Sequence, residues 1–126
     1  LKFHEYNPDN TNLFTAIEAG SVKINGVSYN KSVAVMPDEI QNNWNVDSFE
    51  ALQETHFSCF LALKPEVLLL GTGAKQHFPH PSLYRTLTDA GISVEAMDTH
   101  AACHTYNILA AEDRKVIAAI IIQEAS

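Results

Sequence analysis

His100 and His104 stand four residues apart within the run Asp98-Thr99-His100-Ala101-Ala102-Cys103-His104-Thr105-Tyr106-Asn107. On a helix that spacing places both imidazoles on one face. There they can bind a transition metal, with Asp98 or Cys103 as a third ligand. No Glu sits beside the first histidine, as the zinc-protease motif requires. Two surface histidines are the simpler reading, and no metal or cofactor is assigned. Cys103 beside His104 has the residue types of a thiolate and its base, yet neighbours on a helix point about 100° apart. Another histidine, such as His77 or His80, would have to approach in space. Asp38-Glu39, Glu50 with Glu54 and Glu112-Asp113 suit loops and solvated helix faces better than acid–base pairs. No catalytic residue is assigned.

Gly71-Thr72-Gly73 offers different chemistry. It follows the apolar run Val67 to Leu70, as a dinucleotide-binding turn would. In such turns glycine lets the backbone approach a phosphate at a helix amino terminus. The fingerprint then fails, because Gln76 stands where its third glycine belongs and His77-Phe78-Pro79-His80-Pro81 delays the helix. A structural tight turn is the preferred reading. Lys75 and Arg85 can pair with an anion, but such residues are more often solvated surface charges. Thr105, Tyr106 and Asn107 are polar for a helix lying on a sheet, and are expected to tie that helix to the glycine turn by buried hydrogen bonds.

The elements that must hold these residues are legible. Glu66 to Ile122 reads strand, glycine turn, helix, strand, helix, strand: an α/β domain with a partly parallel sheet. In such sheets ligands and partners meet the carboxyl ends of the strands. Those ends carry Gly71-Thr72-Gly73 and Asp98-Thr99. Asp98 or Thr99 caps the second helix. Pro81 suits the first turn of the helix before it, and Gly91 the left-handed residue that ends it. The last strand is Val116 to Ile122.

Upstream, Asn25-Gly26 between Ser21–Ile24 and Val27–Tyr29 predicts a hairpin, because both turn residues must reach positive φ. Ser32 to Met36 is expected to prolong the second strand until Pro37 ends it. Asp38 to Asn45 reads as a polar connection carrying Trp44. A helix starts either at Asp47 or Ser48, with Glu50 completing a capping box, or near Gln53 after a short strand. Its later half shows an apolar stripe of Phe57, Phe60, Leu61 and Leu63, stopped by Pro65. Residues 1–12 read as a flexible lead-in and 13–126 as a single domain.

Composition narrows the function. A 126-residue chain of formal charge −7, with eight scattered Lys and Arg, lacks the clustered basic surface of a nucleic-acid binder. Anionic membrane surfaces are disfavoured for the same reason. The longest apolar run has seven residues, against about 20 for a membrane-spanning helix. No basic-then-apolar segment opens the chain, although one trimmed before Leu1 is left open. Cys59 and Cys103 have no pairing pattern and read as two buried free thiols of a reducing, cytoplasmic compartment.

Leu70-Gly71-Thr72-Gly73-Ala74-Lys75-Gln76-His77-Phe78-Pro79, with Met97 to Leu109 and Glu112-Asp113-Arg114, resembles a known family of domains of unknown function. It includes mitochondrial complex I assembly factor 3 and the adipogenesis-associated protein of the same domain type. The resemblance covers roughly residues 13–122, adding the Asn-Gly hairpin, Pro37 and Trp44. It implies a three-layer α/β domain around a central mixed sheet and, through the mitochondrial member, assembly of a respiratory complex by protein contacts. The family commonly has Arg where His104 stands and a small residue at His100, so the resemblance marks the histidine pair as peculiar to this chain.

The leading expectation is a non-catalytic interaction or assembly module with another protein as partner, self-association being left open. Its candidate surface is Gly71, Thr72, Gly73, Lys75 and Gln76 beside Asp98, Thr99, Thr105 and Asn107. The alternative is a small-molecule or anion-binding protein, enzymatic or not, using the same crevice.

Overall fold

A computed structural model describes residues 10–123; the first nine residues of the expected lead-in lie outside them. Strands β1 (Phe14–Glu18), β2 (Ser21–Ile24) and β3 (Val27–Tyr29) form an antiparallel sheet in that order. Strands β4 (Val33–Met36), β5 (Glu39–Gln41), β6 (Val67–Gly71), β7 (Ser93–Met97) and β8 (Val116–Ile120) form a second sheet, ordered β5-β4-β8-β6-β7. There β6 runs parallel to β7 and β8, while β4 runs antiparallel to β8 and β5. Helices α1 (Glu54–Ser58), α2 (Arg85–Asp89) and α3 (Thr99–Ala111) complete the fold.

The five-stranded sheet is the middle of three layers, and the period-two alternation of side chains sorts its residues between two cores. Val67 and Leu69 of β6, Val116, Ala118 and Ile120 of β8, and Val33 and Val35 of β4 face α3 and the three-stranded sheet. Leu68, Leu70, Ile117, Ala119, Ala34 and Met36 face the opposite way, onto Phe57, Phe60, Leu87 and Trp44. A parallel strand covered on both faces must be apolar at every position, and all five residues of β6 and of β8 are buried.

Local signals set the element ends. Asn25 (φ 50) and Gly26 (φ 82) make the expected hairpin turn. Gly91, at φ 83, follows α2. Pro81 opens a 3-10 turn that leads into α2. Asp98 caps α3, its Oδ1 accepting the Ala101 N–H at 2.8 Å.

Other expectations are corrected. Residues 32–36 do not prolong the hairpin: β3 ends at Tyr29 and β4 joins the other sheet. All four β4 residues are buried, and only a strand covered on both faces can hide them. Asp38 to Asn45 is not wholly a connection, since β5 pairs with β4 across a two-residue turn at Pro37-Asp38. Its polarity suits the sheet edge it occupies. Of the two helix starts, the later one holds: Gln53 is the N-cap, with its N–H donating to His56 Nδ1 at 2.9 Å. The short strand expected before it at 46–49 does not form, and Phe49–Ala51 winds into a 3-10 turn. The apolar stripe loses Leu61, because residues 61–63 form a separate 3-10 turn whose tighter winding leaves it 36% exposed. The partly buried Leu63 still packs on the core of Phe57 and Phe60. Cys59 is not buried; it lies exposed at the end of α1, whereas Cys103 is buried.

Candidate functional site

The glycine turn and the start of α3 are stapled together. Thr72 N–H donates to the Met97 carbonyl at 2.8 Å, extending the pairing of β6 with β7 by one residue. Gly73 N–H donates to Thr99 Oγ1 at 2.9 Å, and Thr99 N–H returns a bond to the Gly73 carbonyl at 2.8 Å. The two glycines serve different ends. Gly73 sits at φ 101 with open space where a Cβ would stand. A Cβ on Gly71 would lie 2.7 Å from Ile120 Cδ1 and 3.4 Å from Ala102 Cβ. The Ile120 side chain of β8, whose δ-methyl would have to shift, therefore favours glycine at 71, where the α3 atoms stand at ordinary contact distance, and backbone conformation favours it at 73.

Thr72, 6% exposed, organises the loop that follows. Its hydroxyl donates to the Lys75 carbonyl at 2.7 Å, with the Met97 carbonyl 3.1 Å away, and accepts the His77 N–H at 3.1 Å. Gln76 Nε2 donates to the Ala96 carbonyl at 2.8 Å, covering part of the β7 edge. The His77 ring packs on Phe49 with centroids 5.1 Å apart. His80 Nδ1 accepts the Ser82 N–H and lies 2.8 Å from Ser82 Oγ, a local cap. Pro79 is buried. From this pinned loop Phe78 projects, 75% exposed. Sequence patterning did not single it out: an isolated aromatic in a proline-rich loop has no periodicity to reveal its direction.

The expected residues gather only in part. Gly73, Lys75, Asp98 and Thr99 border one open cleft of about 680 Å³, closed opposite by the β1–β2 turn and by residues 121–123. Thr72 forms its floor and Gln76 stands just outside. Three amides at the turn and the start of α3 are already engaged: those of Gly73 and Thr99 by each other's residue, and that of Ala101 by Asp98. Thr105 is half-buried on α3. Asn107 and Tyr106 do not reach the glycine turn, contrary to expectation. Asn107 bonds to the Phe14 backbone and Tyr106 Oη donates to the Asn12 carbonyl at 2.8 Å. Their buried polar atoms are spent on fastening α3 to the amino-terminal strand.

The remaining candidates are separated. His100 and His104 share the exposed face of α3. Among the described residues no group of three or more His, Cys, Asp or Glu is placed to hold a metal. Cys103 is buried, and burial pushes its thiol far up from 9.0, so it is a poor thiolate. Arg114 Nε donates to Glu66 Oε2, joining the α3–β8 connection to the start of β6. Among the described residues no helix is long and apolar enough to cross a membrane.

A model of a protein family described as "protein of unknown function (DUF498/DUF598)" matches residues 14–121. The chain belongs to this family. Among DUF498/DUF598 relatives it is 41% identical over 100 residues to NADH dehydrogenase [ubiquinone] 1 alpha subcomplex assembly factor 3 of Danio rerio, covering 78% of this chain and 57% of the relative. It is 38% identical over 76 residues to the 13 kDa major membrane protein of Francisella tularensis, covering 60% of this chain and 62% of that one. The chain thus spans little more than half the length of these curated relatives. A crystal structure of a Bordetella parapertussis protein superposes with TM-score 0.85 at 36% identity, over 93% of this chain and all of the other. The solution structure of a Bordetella pertussis protein, called a Mth938-like domain, gives 0.81 at 30% identity, over 100% of this chain and 95% of the other. The three-layer architecture is the one these relatives share.

Proposed function

We propose that this DUF498/DUF598 domain is a non-catalytic assembly module that holds another protein through the pinned loop at the carboxyl end of β6. The carrying observation is Phe78: 75% of a phenylalanine faces solvent on a loop whose backbone is fixed by Thr72, Gln76 and Pro79. A rigid, exposed aromatic is the kind of anchor that dominates protein interfaces. The exposed charges of this segment are cationic. Residues 67–88 contain two of the eight Lys and Arg, Lys75 and Arg85, and none of the fifteen Asp and Glu. Kinship with complex I assembly factor 3 favours a respiratory NADH dehydrogenase subunit, or a protein that helps assemble it, as the partner.

The test is co-purification of the tagged full chain from its own host, with quantitative mass spectrometry of its companions, beside Phe78→Ala and Lys75→Glu. Both positions are exposed, so both variants should keep the native melting temperature. Phe78→Ala should weaken the stoichiometric companion by about 2 kcal/mol, roughly thirtyfold in Kd. Undiminished capture by both variants would remove the loop from the interface. Gly73 and Asn107 are poorer probes, because their roles in the turn and in anchoring β1 would confound binding with stability.

A further inference from the structure

Asn25-Gly26 is the one Asn-Gly pair in the chain, and both residues are exposed at the tip of the β2–β3 hairpin. Asn-Gly is the dipeptide most prone to deamidation, since glycine leaves the next amide nitrogen unhindered. In that reaction Gly26 N, deprotonated, attacks Asn25 Cγ. A C–N bond forms, ammonia leaves, and a succinimide ring closes. Water then opens the ring at either carbonyl, leaving aspartate or isoaspartate; no oxidant or reductant takes part. Exposure and sequence alone would make this turn short-lived.

The fold holds the attacking nitrogen and both polar atoms of the Asn25 carboxamide in hydrogen bonds. Gly26 N–H, whose proton must leave first, donates to Thr15 Oγ1 of β1 at 3.0 Å. Asn25 Oδ1 accepts the Leu13 N–H at 3.1 Å, and Nδ2 donates to Asn12 Oδ1 at 3.1 Å. Asn25 N–H donates to the Leu13 carbonyl at 2.9 Å. The clamp is itself anchored. Asn12 donates from its backbone to the Pro37 carbonyl and from Nδ2 to the Met36 carbonyl, both at 2.9 Å, and accepts Tyr106 Oη. Thr15 is 4% exposed. To react, the nitrogen must leave Thr15 and the carboxamide must swing away from residues 12 and 13, which requires local opening of β1 from the hairpin.

We propose that Asn25 is a latent modification site, closed by the Thr15–Asn12 clamp in the native state and opened whenever β1 detaches, so that its deamidation records unfolding of this edge. Conversion would matter: a carboxylate at position 25 would face Asn12 Oδ1, and an isoaspartyl link would lengthen a turn whose two residues set the β2–β3 register.

Incubation of the intact chain at neutral pH, native and in urea, followed by peptide mapping of the Asn25 peptide, tests this. Deamidation should be about tenfold or more slower in the native chain. Thr15→Val, which removes the acceptor of the Gly26 N–H, should bring the native rate toward that in urea, while Thr15→Ser should keep it slow. Circular dichroism checks that both variants stay folded; should Thr15→Val not fold, the native-to-urea ratio and Thr15→Ser still decide. Equal rates for native and urea-unfolded wild type would overturn the proposal. So would a folded Thr15→Val that reacts no faster than wild type.

Discussion

Asn107 completes Phe14 as a neighbouring strand would. Its Oδ1 accepts the Phe14 N–H at 2.9 Å and its Nδ2 donates to the Phe14 carbonyl at 2.8 Å, across 93 residues of sequence. One carboxamide on α3 thereby satisfies both backbone groups at the start of β1. Tyr106 beside it bonds to Asn12 and packs edge-on against the Phe14 ring, centroids 5.3 Å apart. This is how the three-stranded sheet is fastened to the α3 layer.

Asn107→Ala leaves a part-buried donor and acceptor unsatisfied and should cost about 2–3 kcal/mol in urea denaturation. Asn107→Asp keeps the acceptor for Phe14 N–H but sets a carboxylate against the Phe14 carbonyl. Its deficit should shrink as pH falls, when the protonated carboxyl can donate again. A deficit that grows on acidification relative to wild type would contradict the pairing.

Gly71→Ala and Gly73→Ala should both destabilise, by different routes. The first overpacks β6 against the Ile120 side chain of β8, costing about 1–3 kcal/mol. The second strains a left-handed backbone, costing about 1–2 kcal/mol. Ile120→Val removes the atom that the new Cβ of Gly71→Ala meets. A double-mutant cycle should therefore show coupling between positions 71 and 120 and none between 73 and 120.

The Cys103 thiol and the Tyr106 phenol are both raised from their ordinary values of 9.0 and 10.0, in each case chiefly by burial, with Asp38 adding to the effect on Tyr106. Groups with raised native pKa stabilise the fold fully below their unfolded values. Above those values the unfolded chain sheds protons that the native chain retains. Stability should therefore fall as pH climbs past about 9. Tyr106→Phe should be less stable at neutral pH, having lost its bond to Asn12, yet show a shallower alkaline decline. Denaturation curves at neutral pH and above pH 10 would separate the two effects.

The thiols should differ in access. Cys59 is exposed and Cys103 buried in the α3 core. Alkylation of the native protein should label Cys59 alone, slowly at neutral pH because partial burial raises its thiol too. Cys103 should react only at the rate of unfolding. Equal labelling of the two in the native state would mean that α3 is not held as described.

Much of the fold was legible because its signals are local. A run with no polar residue, such as Val67 to Leu70 or Val116 to Ile122, has to be covered on both faces. Asn25-Gly26 meets the demand of a tight hairpin for positive φ. Asp98 can cap a helix, and Gly91 can end one, with no reference to the rest of the chain. The two motifs that carry the family resemblance are likewise contiguous in sequence.

What tertiary structure decided was every question of partnership. That β4 leaves the hairpin to lie beside β8 depends on strands 80 residues apart finding a common register. That Asn107 serves Phe14, that Gly71 leaves room for Ile120, and that Phe78 points outward are all facts of which surfaces meet. A side chain's type states which bonds it is able to make; only the packing of distant segments, which excludes water from some faces and leaves others wet, determines which bonds it does make.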